Sequence, residues 1–232
     1  MNYRCPGIAI RYFKYSENSI IAKILTEDFG LQSFLIRGVY AKKSKNKIAL
    51  LQPLTLIEIT ATKKKDGGLN YIKDISIAKP IVGSNEEKLV FIFIAEVLAK
   101  TLSGDKKDIP LFNFIWETVE EIGKKGVISK NYSILFLLKL SYFLGFYPNL
   151  RIENPMSFDM DSGDFLKYKT NSKHVIEGVE LRYLVDLLEG RDPKIPSDNK
   201  SNLLDSLLNY YKLQHHEIKK LNSYEVIKSL YN

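Results

Sequence analysis

The sequence predicts an α+β chain in which an N-terminal five-stranded β-barrel precedes an all-α helical bundle. Apolar and polar residues alternate with a period of two up to residue 80, and beyond it apolar residues recur at helical spacing. The charge divides at the same place, since residues 1–80 hold 14 Lys and Arg against 6 Asp and Glu, whereas residues 81–232 hold 20 against 21. We therefore expect a basic barrel domain, 1–80, and a nearly neutral helical domain, 81–232.

The predicted strands are rich in β-branched and aromatic residues, and polar turns separate them. They cover residues 6–15, 19–26, 31–39, 50–62 and 69–77. Five short strands, with one long basic loop at 40–47 between the third and the fourth, suit a small closed barrel of the oligonucleotide-binding type, the OB-fold. The pattern alone leaves a five-stranded SH3-like barrel open.

Helical periodicity begins after residue 84 with an almost wholly apolar run that ends near Gly104, as in a buried helix. Residues 111–123 and 131–144 continue the pattern, and shorter amphipathic segments follow at 180–189, 201–211 and 223–230. Between them, residues 145–178 are polar and rich in Pro, Asn, Asp and Ser. We expect the helices to form a compact bundle.

We find no sequence motif that is typical of an enzyme. No glycine-rich phosphate loop occurs, and the three histidines lack the spacing of metal ligands. The single cysteine, Cys5, is expected to be a small apolar strand residue. The apolar runs are too short to span a bilayer, and no secretory signal begins the chain. We expect a cytoplasmic protein that is not an enzyme, binds no cofactor and no metal, and has no membrane partner.

Basic and aromatic residues concentrate in the predicted barrel. Proteins that bind single strands use cations to follow phosphates and exposed rings on which bases stack. Tyr40 is the preferred stacking residue because it lies in the basic loop, whereas Phe13 and Phe34 are expected in the core. The candidate DNA-binding residues are Arg11, Lys14, Arg37, Tyr40, Lys42, Lys43, Lys45, Lys47, Lys63, Lys64, Lys65 and Lys73.

Several short motifs follow one another along the chain. They are Tyr15-Ser16-Glu17, Leu25-Thr26-Glu27-Asp28-Phe29-Gly30-Leu31, Arg37-Gly38, Lys43-Ser44-Lys45, Leu51-Gln52-Pro53-Leu54, Phe136-Leu137-Leu138-Lys139-Leu140 and Leu144-Gly145-Phe146-Tyr147-Pro148. In this order they resemble the RecO family of bacterial recombination mediators. Each motif is weak alone, and their order and spacing together are specific. The similarity extends along nearly the whole chain.

The resemblance implies an N-terminal OB-fold domain, a helical domain and a role in DNA repair and recombination. Members bind single-stranded and double-stranded DNA, anneal complementary strands, contact the C-terminal tail of single-strand-binding protein and, with RecR, help to load RecA onto coated strands. This implies a cytoplasmic, nucleoid-associated protein that displaces and anneals strands without making bonds.

The resemblance also implies a small module directly after the motif that ends at Pro148. Many members hold a zinc ion there with four cysteines, but residues 149–156 of this chain contain no cysteine. We therefore expect a degenerate, zinc-free hairpin insertion at about 149–178, built around 158–165.

Two other functions are compatible with the same residues. A barrel with cations and exposed rings can bind RNA, because stacking and phosphate contacts tolerate either sugar. Alternatively, the chain is a protein-interaction adaptor without a direct nucleic-acid role, its apolar helices forming a groove for an acidic partner.

Overall fold

The structure is a computed structural model that describes residues 2–39, 45–62, 69–81, 85–124, 129–215, 218 and 221–231. The chain divides into two compact units, Met1–Val127 and Ile128–Asn232. The last barrel strand ends at Lys79, so the first unit contains the barrel and the helices that follow it. The predicted domains, 1–80 and 81–232, stay predictions.

A closed five-stranded barrel forms most of the first unit. Its strands are β1 (Asn2–Ser16), β2 (Ser19–Thr26), β3 (Gly30–Arg37), β4 (Leu56–Thr62) and β5 (Asn70–Lys79). The strand order is β1-β2-β3-β5-β4, and β1 pairs with β4 to close the barrel. Strands β3 and β5 pair in parallel, and the other pairs are antiparallel. This Greek-key barrel is an OB-fold, which confirms the predicted fold class.

The barrel interior is filled by apolar side chains at alternate strand positions. Ile20, Ala22 and Ile24 of β2 point inward, and Phe34 and Ile36 of β3 lie opposite them. The residues between them on both strands point outward, as the period of two requires. The sequence therefore predicted β2 with the bounds that the structure has.

A β-bulge in β1 changes which residues face outward. Ala9 pairs with Ile24, but the next pair is Arg11 with Lys23, so Ile10 is an extra residue. The extra residue shifts the alternation by one position, and Arg11 and Phe13 consequently lie on the outer face. Phe34 is buried as predicted, but Phe13 is 45% exposed, so its assignment to the core was wrong.

The segment between β3 and β4 contains a short helix, α1 (Lys45–Ala49), where a loop was predicted. Residues 50–55 then form turns, so β4 begins later than the predicted start at residue 50. Leu54 donates its backbone N–H to the Ala9 carbonyl at 2.7 Å. This turn is therefore anchored to β1 before the fourth strand begins.

Two helices complete the first unit. They are α2 (Asn85–Thr101) and α3 (Ile109–Ile122). Helix α2 is buried along most of its length and contacts both β1 and α3. The Asp108 carboxylate caps α3 by accepting the Leu111 N–H at 2.9 Å, and Pro110 occupies the first turn, where its missing N–H costs nothing.

The second unit combines helices with a small sheet. Its helices are α4 (Tyr132–Phe143), α5 (Gly178–Leu188), α6 (Ser197–Gln214) and α7 (Tyr224–Lys228). Its strands, in the spatial order β7-β6-β8, are β6 (Ser157–Asp159), β7 (Asp164–Leu166) and β8 (Val175–Glu177). The predicted hairpin corresponds to β6 and β7, and β8 is a third strand that the sequence did not predict. In the part of the chain that is described, no helix is long and apolar enough to cross a bilayer.

The small sheet is held together by apolar side chains. The Phe158 and Phe165 rings lie 4.7 Å apart, and Phe158 also contacts the Tyr210 ring at 5.2 Å. A four-cysteine zinc module does not fit these residues, because Cys5 is the one cysteine of the chain and is buried in the barrel. Among the described residues, no three His, Cys, Asp or Glu side chains cluster as metal ligands.

Candidate nucleic-acid interface

A row of apolar and aromatic side chains crosses the outer face of four barrel strands. Phe13 of β1 pairs with Ile21 of β2, Ile21 pairs with Leu35 of β3, and Leu35 pairs with Tyr71 of β5. Ile21 and Leu35 are buried, whereas Phe13 is exposed and Tyr71 is partly exposed. The two rings therefore lie at the ends of one apolar row. With strands about 4.8 Å apart, their backbones are separated by roughly 14 Å.

Cations flank this row on both sides. On one side Arg11 of β1 pairs with Lys23 of β2. Each of these residues is two positions along its strand from Phe13 or Ile21. On the other side Arg37 ends β3, two residues beyond Leu35. We call Phe13, Ile21, Leu35 and Tyr71 the ring row, and Arg11, Lys23 and Arg37 its flanking cations. In such an arrangement bases can stack on the rings while the cations contact the phosphates of the same strand.

The Arg37 guanidinium lies over the Tyr71 ring, 5.2 Å from its centroid. This cation–π contact joins the two side chains at the parallel junction of β3 and β5. After Arg37 the chain turns through Gly38, whose φ of 68° is in the left-handed region. Gly38 donates its N–H to the Asn18 carbonyl at 2.7 Å, which ties the end of β3 to the β1–β2 turn. The backbone that carries Arg37 is therefore held in place.

Among the described residues, no acidic side chain forms an ion pair with the flanking cations, in contrast to three other cations of the first unit. Among the described residues, ion pairs join Arg4 to Glu58, Lys79 to Glu120 and Lys107 to Asp28. Within the same residues, none is recorded for Arg11, Lys23 or Arg37, nor for the exposed Lys14 and Lys73. Positive charge is thus left uncompensated on the face that carries the ring row.

The structure brings some of the predicted site residues together. Arg11 and Arg37 belong to the surface around the ring row, and Lys14 is exposed further along β1. Lys73 is exposed at a bulge of β5, opposite the register shift between Thr60 and Ala61. Lys47 lies partly exposed in α1, and Lys45 begins the same helix. The remaining candidates lie outside the described residues: Tyr40, Lys42, Lys43, Lys63, Lys64 and Lys65.

Sequence reasoning missed both rings and one cation of this surface, namely Phe13, Tyr71 and Lys23. Lys23 interrupts an apolar strand at an outward position, so strand parity could have revealed it. Tyr71 could have been assigned in the same way. It directly precedes Ile72 in β5, and because Ile72 faces inward, Tyr71 faces outward. Phe13 could not be assigned in this way, since the bulge that turns it outward leaves no mark in the alternation.

The Cys5 thiol takes no part in this surface. It is buried in the barrel interior, and burial, aided by the charges of Asp28, Glu58 and Glu27, raises its pKa to about 12. A thiol in this state is a packing residue and not a nucleophile, as the sequence predicted.

Comparisons with known proteins show which family the chain is similar to. The model of the family described as "Recombination protein O N terminal" matches residues 1–81. The DNA repair protein RecO of Flavobacterium psychrophilum is 30% identical over 239 residues, covering 100% of both chains. That of Azobacteroides pseudotrichonymphae is 27% identical over 244 residues, again covering 100% of both. Among solved structures, Entamoeba histolytica asparaginyl-tRNA synthetase covers 90% of this chain and 56% of its own at 10% identity, and its TM-score of 0.29 supports no argument.

Proposed function

The chain belongs to the RecO family of DNA repair proteins, and on that premise we propose that its barrel binds single-stranded DNA as a recombination mediator. The observation that carries the proposal is the ring row with its unpaired flanking cations. Phosphates approach Arg11, Lys23 and Arg37, while bases stack on the exposed ring of Phe13 and the partly exposed ring of Tyr71. The same cations serve double-stranded DNA through its phosphates alone.

The proposed mechanism is binding and exchange without bond making. A strand that is stacked on rings and held by cations keeps its base edges accessible, so a complementary strand can anneal to it. We propose that the protein contacts the C-terminal tail of single-strand-binding protein and, with RecR, helps to load RecA onto the coated strand. This work would take place in the cytoplasm at the nucleoid.

The test is the salt dependence of binding, measured by fluorescence anisotropy of a labelled single-stranded oligonucleotide. The full chain is compared with a triple variant, Arg11→Gln, Lys23→Gln and Arg37→Gln. Each phosphate contact that is lost lowers the slope of log K against log salt by about 0.7, so three lost contacts lower it by roughly 2. The control, Arg4→Gln, Lys79→Gln and Lys107→Gln, removes the same charge from ion-paired sites and is expected to leave the slope unchanged.

Each outcome bears on the proposal. Absence of binding by the unmodified chain at low salt would reject single-strand binding by the isolated protein and favour the adaptor function. Equal losses in the two triple variants would mean that net charge, and not the ring row, governs binding. Competition with an RNA oligonucleotide of the same sequence decides between the two nucleic acids, and we expect DNA to compete better.

The partners require a separate assay. We expect the full chain to anneal complementary oligonucleotides that are coated with single-strand-binding protein. Annealing should be slower with the triple variant than with its control. Truncating the acidic tail of the single-strand-binding protein should also slow annealing by the full chain. If annealing is unaffected by either change, the proposed mediator mechanism fails even where DNA binding is retained.

A further inference from the structure

A second basic and aromatic surface lies in the unit that contains the small sheet. It is the loop between β7 and β8, residues 167–173, which we call the basic loop. Three lysines, Lys167, Lys169 and Lys173, are exposed there, and Tyr168 between the first two is 62% exposed. No acidic residue occurs from 165 to 176 in the sequence.

Hydrogen bonds attach the basic loop to the sheet at both ends. At its start, the hydroxyl of the buried Ser157 donates to the Tyr168 carbonyl at 2.7 Å. At its end, His174 lies 3.0 Å from the Asp161 carboxylate, and the Ser172 hydroxyl accepts the His174 N–H at 3.2 Å. The loop is therefore presented in a defined conformation, which lowers the entropy that a ligand must remove on binding.

The side chains of the basic loop are available to a ligand. Among the described residues, no acidic partner is recorded for Lys167, Lys169 or Lys173, whereas Arg191 of the same unit is bridged to Asp186. Among the described residues, no ring contacts Tyr168, in contrast to Tyr142, which contacts the Phe143 and Tyr147 rings. An exposed ring between two unpaired cations resembles the arrangement on the barrel in its chemistry.

We propose that the basic loop is a second contact for single-stranded nucleic acid, with Tyr168 stacking on a base and Lys167 and Lys169 contacting its neighbouring phosphates. The alternation of cation, ring and cation fits a chain of phosphates and bases. An acidic peptide would use the lysines but would leave a ring of this exposure without a role. The inference rests on the proposed function for the identity of the ligand, but it concerns a different surface.

Apolar packing and one side-chain contact can hold the small sheet and the basic loop together without a metal. Phe158 and Phe165 supply the apolar contacts that hold β6 and β7, and the Asp161–His174 contact closes the loop. The three-stranded sheet thus acts as a scaffold for the loop, and no cysteine is needed.

The test uses the full chain with two probes, a thymidine oligonucleotide and an abasic oligonucleotide of the same length. Tyr168→Leu is expected to weaken binding of the thymidine probe about tenfold and to leave the abasic probe unchanged, since only the former stacks. Tyr168→Phe keeps the ring and should bind as the unmodified chain does. Lys167→Gln with Lys169→Gln should lower the salt slope by roughly 1.4 with both probes.

Matched controls come from the same unit. Tyr142→Leu removes a tyrosine that is 67% exposed, and Lys194→Gln with Lys212→Gln removes two exposed lysines; both should leave the affinity unchanged. If the loop variants bind like these controls while the barrel variant is impaired, the inference is overturned and the proposed function stands. If the loop variants lose affinity for a polyglutamate peptide and not for DNA, the loop is a protein-binding site instead. Absence of DNA binding by the unmodified chain overturns both.

Discussion

At the scale of single residues, the two phenylalanines of the barrel strands have opposite environments. Phe34 is fully buried in the core, and replacing it with Ala should cost about 3–5 kcal/mol in the free energy of unfolding. Phe13 is 45% exposed on the outer face, so Phe13→Ala should cost under about 1 kcal/mol. Urea unfolding followed by circular dichroism measures both values. Similar losses for the two variants would contradict the orientation of β1 beyond its bulge.

Phe13 should contribute more to DNA binding than to the stability of the barrel. Because bases stack on exposed rings, Phe13→Ala should weaken single-stranded DNA binding by about 1–3 kcal/mol despite its small effect on folding. Anisotropy at a fixed salt concentration measures the change, and Tyr12→Leu serves as a control because Tyr12 packs against the barrel interior. Unchanged affinity of the Phe13 variant would remove this ring from the proposed interface.

Cys5 provides a direct probe of barrel integrity. Its thiol is buried and its pKa is raised to about 12, so it should not react with a thiol reagent at pH 8 in the folded protein. Unfolding in urea should expose it and allow one equivalent of reagent to react. Rapid labelling of the native chain would show that the barrel opens, or that Cys5 lies elsewhere.

At the scale of elements, two turns depend on glycine for different reasons. Gly30 and Gly38 have φ values of 65° and 68°, which cost other residues about 1–2 kcal/mol. A Cβ at Gly30 would also collide with the Lys106 carbonyl oxygen, whereas one at Gly38 would meet none of the described residues within 4 Å. Gly38→Ala should therefore cost about 1 kcal/mol, and Gly30→Ala clearly more, in urea unfolding. Equal costs would mean that residue 106 does not approach the β2–β3 turn.

Helix α6 should make the second unit sensitive to alkaline pH. Burial raises the pKa of Tyr210 to about 12 and that of Tyr211 well above its usual value, and the Tyr211 hydroxyl donates to the Leu137 carbonyl. In the unfolded chain these phenols ionise near pH 10, so the unfolded state binds fewer protons above that pH and stability falls as pH rises. Below about pH 10 the contribution is fully present.

Phenylalanine variants test this pH dependence. Tyr210→Phe and Tyr211→Phe should each make the loss of stability between pH 10 and pH 12 shallower, whereas Tyr142→Phe, an exposed site, should not. Urea unfolding at pH 8 and at pH 11 gives the comparison. A loss of equal size in all variants would locate the alkaline sensitivity elsewhere.

The elements also separate what alternation can and cannot predict. Strand β2 has its predicted bounds because every second residue is buried in one continuous interior. The fourth strand begins later than predicted, since the apolar Leu51 and Leu54 are buried in turns and not in a strand. Apolar residues mark burial, and burial in a turn looks the same in sequence as burial in a strand.

At the scale of the whole molecule, the first unit should be the smallest fragment that folds well. It contains 20 Lys and Arg against 14 Asp and Glu, so it also holds most of the net charge of +7. A fragment of residues 1–127 should fold cooperatively and keep the salt-dependent binding of single-stranded DNA. A fragment of residues 1–80 should be less stable, because α2 would no longer cover β1. Equal stability of the two fragments would support the boundary predicted at residue 80.

The class of fold, the family and the part of the chain that carries the excess charge could all be predicted from the sequence. Each of these depends on patterns that are local or linear: alternation within strands, ordered short motifs, and the count of charges. Which residues share a surface depends on the folded chain. The bulge at Ile10 turns Phe13 outward, and the parallel pairing of β3 with β5 brings Tyr71 beside Leu35 and beneath Arg37. Such neighbours are set by the register between strands that are distant in sequence, and no periodicity within one strand contains that information.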